Sequence, residues 1–162
     1  MTKHLLKATI SGISAMALVP FAAATDLSVG ISDALQEKLE DDYGLREGPK
    51  LIEEVTEDLE REFARRSVNP ARVDITIIDA KPNRPTFSQL TDRPGLDPIR
   101  SISLGGMKLK GIAYDESGTV IGEREYRWYE NDIRQVIGQS TWGDARRASS
   151  RFASRFAKDL AQ

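Results

Sequence analysis

Cysteine is absent from this chain of 162 residues, and its single histidine, His4, lies almost at the start. Without cysteine there are no disulfides and no thiolate metal sites. From Thr25 onward there is no imidazole either. Ser-His-Asp and Cys-His nucleophile systems, imidazole bases and zinc sites with ordinary ligands are thereby excluded. The chemistry left is that of carboxylates, Ser with Lys, Tyr and Arg, and Ser-x-x-Lys does not occur beyond Thr25.

Long apolar runs are also lacking. The longest candidate, Ala8 to Val19, is interrupted by Ser11, Gly12 and Ser14, whereas a membrane-spanning helix needs roughly 20 predominantly apolar residues. Lys3 and Lys7 precede this stretch, Pro20 ends it, and Ala22 to Ala24 place small residues at its exit. A basic head, a short apolar body and an Ala-x-Ala exit predict a signal peptide over residues 1–24, cleaved after Ala24. No Arg pair precedes the apolar body, which favours the general secretory route. No cysteine stands at the exit, so lipid attachment there is excluded. The expected location is the periplasm or the exterior, with no transmembrane span after cleavage.

Residues 25–162 suit one domain with one modest core. This part carries 21 basic against 25 acidic residues once Lys3 and Lys7 are removed. A mildly acidic balance argues against a general nucleic-acid binder, which needs positive charge to meet phosphates.

Along the chain, Leu27, Val29 and Ile31 alternate with polar or small residues as in a half-buried strand. Ser32 is placed to cap a short helix with Leu35, Leu39 and Tyr43 on one face, stopped at Gly44. Gly48 and Pro49 open a second helix whose stripe is Leu51, Val55, Leu59 and Phe63, widened by Ile52. Val73, Ile75 and Ile77 form the next strand, and a helix between two strands predicts a parallel crossover. Pro82, Pro85, Pro94, Pro98 and Gly95 then impose a long loop from Lys81 to Arg100. Phe87, Leu90 and Leu96 are its candidate anchors, with a turn of helix at Thr86 to Leu90. Ser101 to Tyr114 and Thr119 to Tyr129 read as a hairpin closed by Asp115 to Gly118.

Charge complementarity sets the expected hairpin register, with Lys110 opposite Glu123, Lys108 opposite Glu125 and Gly111 opposite Gly122. Met107, Leu109, Ala113, Val120, Tyr126 and Trp128 are then the core face. Thr141, with Asp144 three residues later, is placed to cap a last helix striped by Ala145, Ala148, Phe152, Phe156 and Leu160. The fold expected is α+β: one small domain, a mixed sheet of about four strands, and three helices mainly on one face.

Four features are candidates for function. Between Asp33 and Glu62 stand twelve acidic and four basic residues, while Arg147, Arg151 and Arg155 form a basic stripe on the last helix. That stripe suits an acidic partner or anionic lipid head groups. The alternative is that the acidic and basic helices pack together with solvated charged faces. Tyr126, Trp128, Tyr129 and Trp142 bracket residues 130–140 and suggest a ring-lined groove of the kind sugars occupy. Tyr126 and Trp128 are already explained as core, which leaves Tyr129 and Trp142 as binding candidates. Arg124 falls on the apolar face, where its guanidinium needs a carboxylate or must reach the rim. Gly105 and Gly106 lack phosphate-loop spacing, and Asp115 to Ser117 lacks the alternating acids of a calcium loop. No catalytic residue, metal ligand or cofactor is therefore assigned.

The segments Ala71 to Leu90 (ARVDITIIDAKPNRPTFSQL) and GGMKLKGIAYDESGTVIG, together with the strand, helix, strand, hairpin, helix order, resemble small exported bacterial envelope domains of unknown function. The resemblance implies a setting without a mechanism. The expected role is a noncatalytic periplasmic domain binding another envelope component, a protein or a glycan. A carbohydrate-binding or carbohydrate-active protein and peripheral contact with an anionic membrane surface are the alternatives.

Overall fold

The computed structural model describes residues 24–162, so the expected signal segment lies outside the described residues apart from Ala24. Strand β1 (Asp26–Ile31) leads into α1 (Asp33–Lys38), whose last turn widens into a π-helical turn (Leu39–Tyr43). Ser32 caps α1 as the sequence predicts. Its Oγ accepts from the Leu35 amide at 3.3 Å and donates to the Ile78 carbonyl at 2.8 Å, pinning the strand exit to the sheet. Gly44, with φ +94°, closes the turn in a conformation a side chain would disfavour.

Helix α2 (Glu47–Arg66) buries Leu51, Val55, Leu59 and Phe63 and ends at Ser67 in the left-handed region. Strand β2 (Arg72–Lys81) then pairs with β1 in parallel, as the crossover pattern predicts. After α3 (Phe87–Asp92), β3 (Gly106–Tyr114) and β4 (Val120–Tyr129) complete a mixed sheet of order β1-β2-β3-β4. A 3-10 turn (Ile133–Val136) precedes α4 (Gly143–Leu160).

Helices α2 and α4 cover one face of the sheet. They run in the same direction, because Arg146 meets Glu54 at 2.9 Å and Ser154 meets Arg66 at 3.4 Å. Phe152 and Phe156 stack at 5.5 Å over β3, and Phe63 approaches Phe156 at 6.3 Å. Gly111 makes this close approach possible, since a Cβ there would stand 2.9 Å from the Phe152 ring. The opposite charge of the two helices is thus used partly within the fold.

The hairpin register is shifted by two residues from the one expected. Lys110 lies opposite Glu125, Lys108 opposite Arg127 and Gly111 opposite Arg124, with an irregularity at Ala113/Tyr114. A two-residue slip keeps every side chain on its own face. The expected ion pairs therefore survive as diagonal contacts, Lys108–Glu125 at 2.7 Å and Lys110–Glu123 at 2.8 Å. Val120 is the casualty. It lies beyond the irregularity and is exposed, not in the core. Thr141 is likewise not the cap of α4: Trp142 occupies that position without a side-chain bond, and Asp144 turns inward.

Candidate binding surfaces

The loop between β2 and β3 is held mainly by polar anchors, and of the apolar ones expected Leu90 and Leu96 are partly buried while Phe87 is not. Asn83 is buried and connects three segments. Its Nδ2 donates to Asp144 Oδ2 at 2.5 Å and to the Ser103 carbonyl at 3.2 Å, and its Oδ1 accepts from the Asp144 amide at 2.7 Å. Asp144 Oδ2 also accepts from the Gly105 amide at 3.3 Å. Its place in the first turn of α4 sets the carboxylate against the positive end of the helix dipole. Arg84 donates to the carbonyls of Gln139 at 2.6 Å and Ile99 at 2.5 Å. A reciprocal capping box of Thr86 and Gln89 starts α3, and Gln89 and Arg93 tie α3 to Asp42 at 2.8 and 2.7 Å.

Phe87, expected to pin the loop, instead projects outward at 76% exposure. The loop walls a cleft of about 490 Å³ against α2 and the start of α4, lined by Glu47, Lys50, Leu51, Pro85, Phe87 and Trp142. Beyond Phe87 a second depression of about 740 Å³ continues past Leu45, which is 59% exposed. Ile99, 75% exposed, adjoins the lining residue Pro98. These apolar groups stand out on segments that are otherwise tightly hydrogen-bonded.

Trp142 forms the floor of this cleft. At 7% exposure it lies edge-on to Tyr43 at 5.7 Å and donates its indole N–H to Glu47 Oε2 at 2.7 Å. Lys50 pairs with the other Glu47 oxygen at 2.9 Å, which neutralises a carboxylate that is only 6% exposed. The indole therefore offers little ring face to a sugar.

Tyr129 serves a different contact. Its hydroxyl donates to Asp79 Oδ2 at 2.5 Å, while Lys38 pairs with Asp79 Oδ1 at 2.7 Å. Burial, then the Asp79 carboxylate, pushes the phenol far above its usual range, and the hydrogen bond to Asp79 raises Lys38. At neutral pH the phenol keeps its proton and the ammonium its charge, so neither is a base or a nucleophile. Burial raises the Tyr43 phenol as well. A folded-state pKa above the unfolded value of about 10 contributes stability that is lost as pH rises through the folded value. Absorbance at 295 nm should show Tyr43 and Tyr129 ionising later than a free phenol, and Tyr129→Phe should remove one of these late steps.

Arg124 finds the carboxylate that its position demands, Asp159 at 2.5 Å, and this guanidinium holds the Asp159 carboxyl below its usual range. Arg147, Arg151 and Arg155 line the outer side of α4. Arg147 lies 3.4 Å from Asp144 and 3.9 Å from Glu130, Arg151 sits 4.3 Å from the Trp128 ring centroid, and Arg155 sits 4.9 Å from that of Tyr126. All three remain exposed at the level of the residue. Sequence reasoning found the stripe but missed the rings beneath it, because Trp128 and Tyr126 were assigned wholly to the core. It also missed Leu45 and Ile99, which carry no periodic signal.

Among the described residues no group of three or more Asp, Glu or His side chains could hold a metal ion. No described helix is long and apolar enough to cross a membrane. No protein-family model matches the chain, and no curated protein matches it.

Proposed function

We propose that this is a noncatalytic periplasmic domain that holds an apolar segment of another envelope protein in the cleft beside Phe87. The observation that carries this reading is the outward placement of Phe87 and Leu45 on either side of a concave surface. Exposed apolar groups gathered around a groove mark interaction sites. Burying one such side chain contributes about 1.5–3 kcal/mol, which a rigid loop collects without a large ordering cost. The setting rests on the signal-peptide pattern of residues 1–24, and the absence of imidazole and thiol beyond it favours binding over catalysis.

The test uses the full chain in its native cells, with a photo-crosslinking residue at position 87 and, as a control, at the exposed α2 position 60. A discrete adduct in the periplasmic fraction is expected from position 87 alone, and Leu45→Ser should reduce it at unchanged Tm. Equal adducts from both positions, or a chain retained in the cytoplasm with residues 1–24 attached, would overturn the reading.

A further inference from the structure

Helix α4 and strand β4 run in opposite directions and are matched rung by rung. Arg147 meets Glu130, Arg151 meets Trp128, Arg155 meets Tyr126, and Asp159 meets Arg124. Each step of four residues on the helix answers a step of two on the strand. The first spans about 6 Å and the second about 6.7 Å, so helix and strand stay in phase over the whole length. Among the described residues β4 pairs only with β3, so its outer edge is open. Three exposed guanidiniums therefore stand above that open edge at the spacing of alternate side chains in a strand.

We propose that the β4 edge accepts an extended acidic peptide segment as an added strand, with carboxylates at alternate positions engaged by Arg147, Arg151 and Arg155. The geometry also states which face the acids must take. On the helix face they meet the three arginines. On the open face the same charges would meet Glu123 and Glu125, already paired with Lys110 and Lys108, and a single cation, Arg127, in place of three. Backbone bonds along the edge supply affinity, and the two faces of opposite preference supply selectivity. Stacking on Tyr126 and Trp128 orients the guanidiniums of Arg155 and Arg151 while leaving their N–H edges for carboxylates, whereas Arg147 already faces Asp144 and Glu130 and is the weakest of the three sites. An anionic lipid surface is less suited. Of the large apolar side chains of α4, Phe152 and Phe156 are fully buried against the sheet and Leu160 is partly buried, which leaves too little apolar surface to insert.

The probe is a heptapeptide, acetyl-Thr-Glu-Thr-Glu-Thr-Glu-Thr-amide, whose acids all fall on one face when extended. Trp128 is only partly buried and lies against Arg151, so its emission should change saturably on binding. Arg151→Ser with Arg155→Ser should weaken binding by tenfold or more, and affinity should fall steeply as salt rises. N-methylation of alternate peptide amides on the edge-facing side should abolish binding. Phe87→Ser should bind normally, so this surface stands or falls separately from the cleft. Equal binding of a same-composition peptide with its acids on both faces would overturn the proposal, as would survival of binding after N-methylation. Binding to phosphatidylglycerol vesicles without binding to the peptide would assign the stripe to a lipid surface instead.

Discussion

Asn83→Ala should cost the domain about 3–5 kcal/mol, read as a large drop in the urea midpoint. The side chain makes three hydrogen bonds that join the loop, the approach to β3 and the first turn of α4. Alanine removes all three and leaves the fully buried Asp144 carboxylate with the Gly105 amide at 3.3 Å and the partly exposed Arg147 at 3.4 Å. Truncation of one partner is expensive here because the buried charge loses its shortest hydrogen bond and keeps only these longer contacts. Asn83→Asp should be worse at neutral pH, since it sets a second carboxylate against the first. Ser103→Ala, which removes only a hydroxyl bond to the Pro82 carbonyl, should cost about 1 kcal/mol. If Asn83→Ala and Ser103→Ala destabilised equally, the clamp would not have the role assigned to it.

Gly106→Ala is the second large effect expected. Gly106 begins β3 with φ +155°, and a Cβ there would stand 2.3 Å from the Trp128 carbonyl oxygen and 2.5 Å from the Tyr129 Cα. Both obstacles are backbone atoms of the paired strand, so relief requires the open end of the hairpin to separate. The conformational penalty alone is about 1–3 kcal/mol, and the displaced strand should bring the total to at least about 3 kcal/mol. Gly95→Ala is the control. It also has positive φ, +99°, but nothing within 4 Å of the added methyl. Its cost should be limited to about 1 kcal/mol of backbone strain. The difference in thermal midpoint between the two variants separates steric conflict from conformational preference.

Most of the architecture was legible because it is written in periodic residues. Leu51, Val55, Leu59 and Phe63 repeat with the helix, and Val73, Ile75 and Ile77 with the strand, and each stripe is buried as read. The hairpin shows where such reading stops. Face is a property of alternation and survived, but register depended on an irregularity near Ala113 that leaves no mark in the composition. Salt bridges tolerated the slip because long Lys and Glu side chains reach diagonal neighbours. The loop was misjudged for a related reason. Its anchors, Asn83 and Arg84, bind partners as far as Asp144 and Gln139, and single polar residues at such separation form no pattern. At the candidate sites, the arginine stripe was visible as helical spacing, whereas its rings and the open edge beside it required the sheet order. Of the cleft beside Phe87, the sequence marked Trp142 and the loop that walls it, whereas the outward turn of Phe87 had no signal beyond an apolar residue following a helix-capping threonine.

The clamp between Asn83 and Asp144 also dictates an order of events during synthesis. The sheet's covered face depends on Phe152 and Phe156, and the long loop depends on Asp144, all of which lie in the final fifth of the sequence. A nascent chain that has emerged only as far as the hairpin can lay α2 across the β1 side of the sheet but has nothing to cover β3 and β4. It gains its native lid and its loop anchor together, when the last helix arrives. Emergence of α4 is thus a precondition for cooperative folding of this domain.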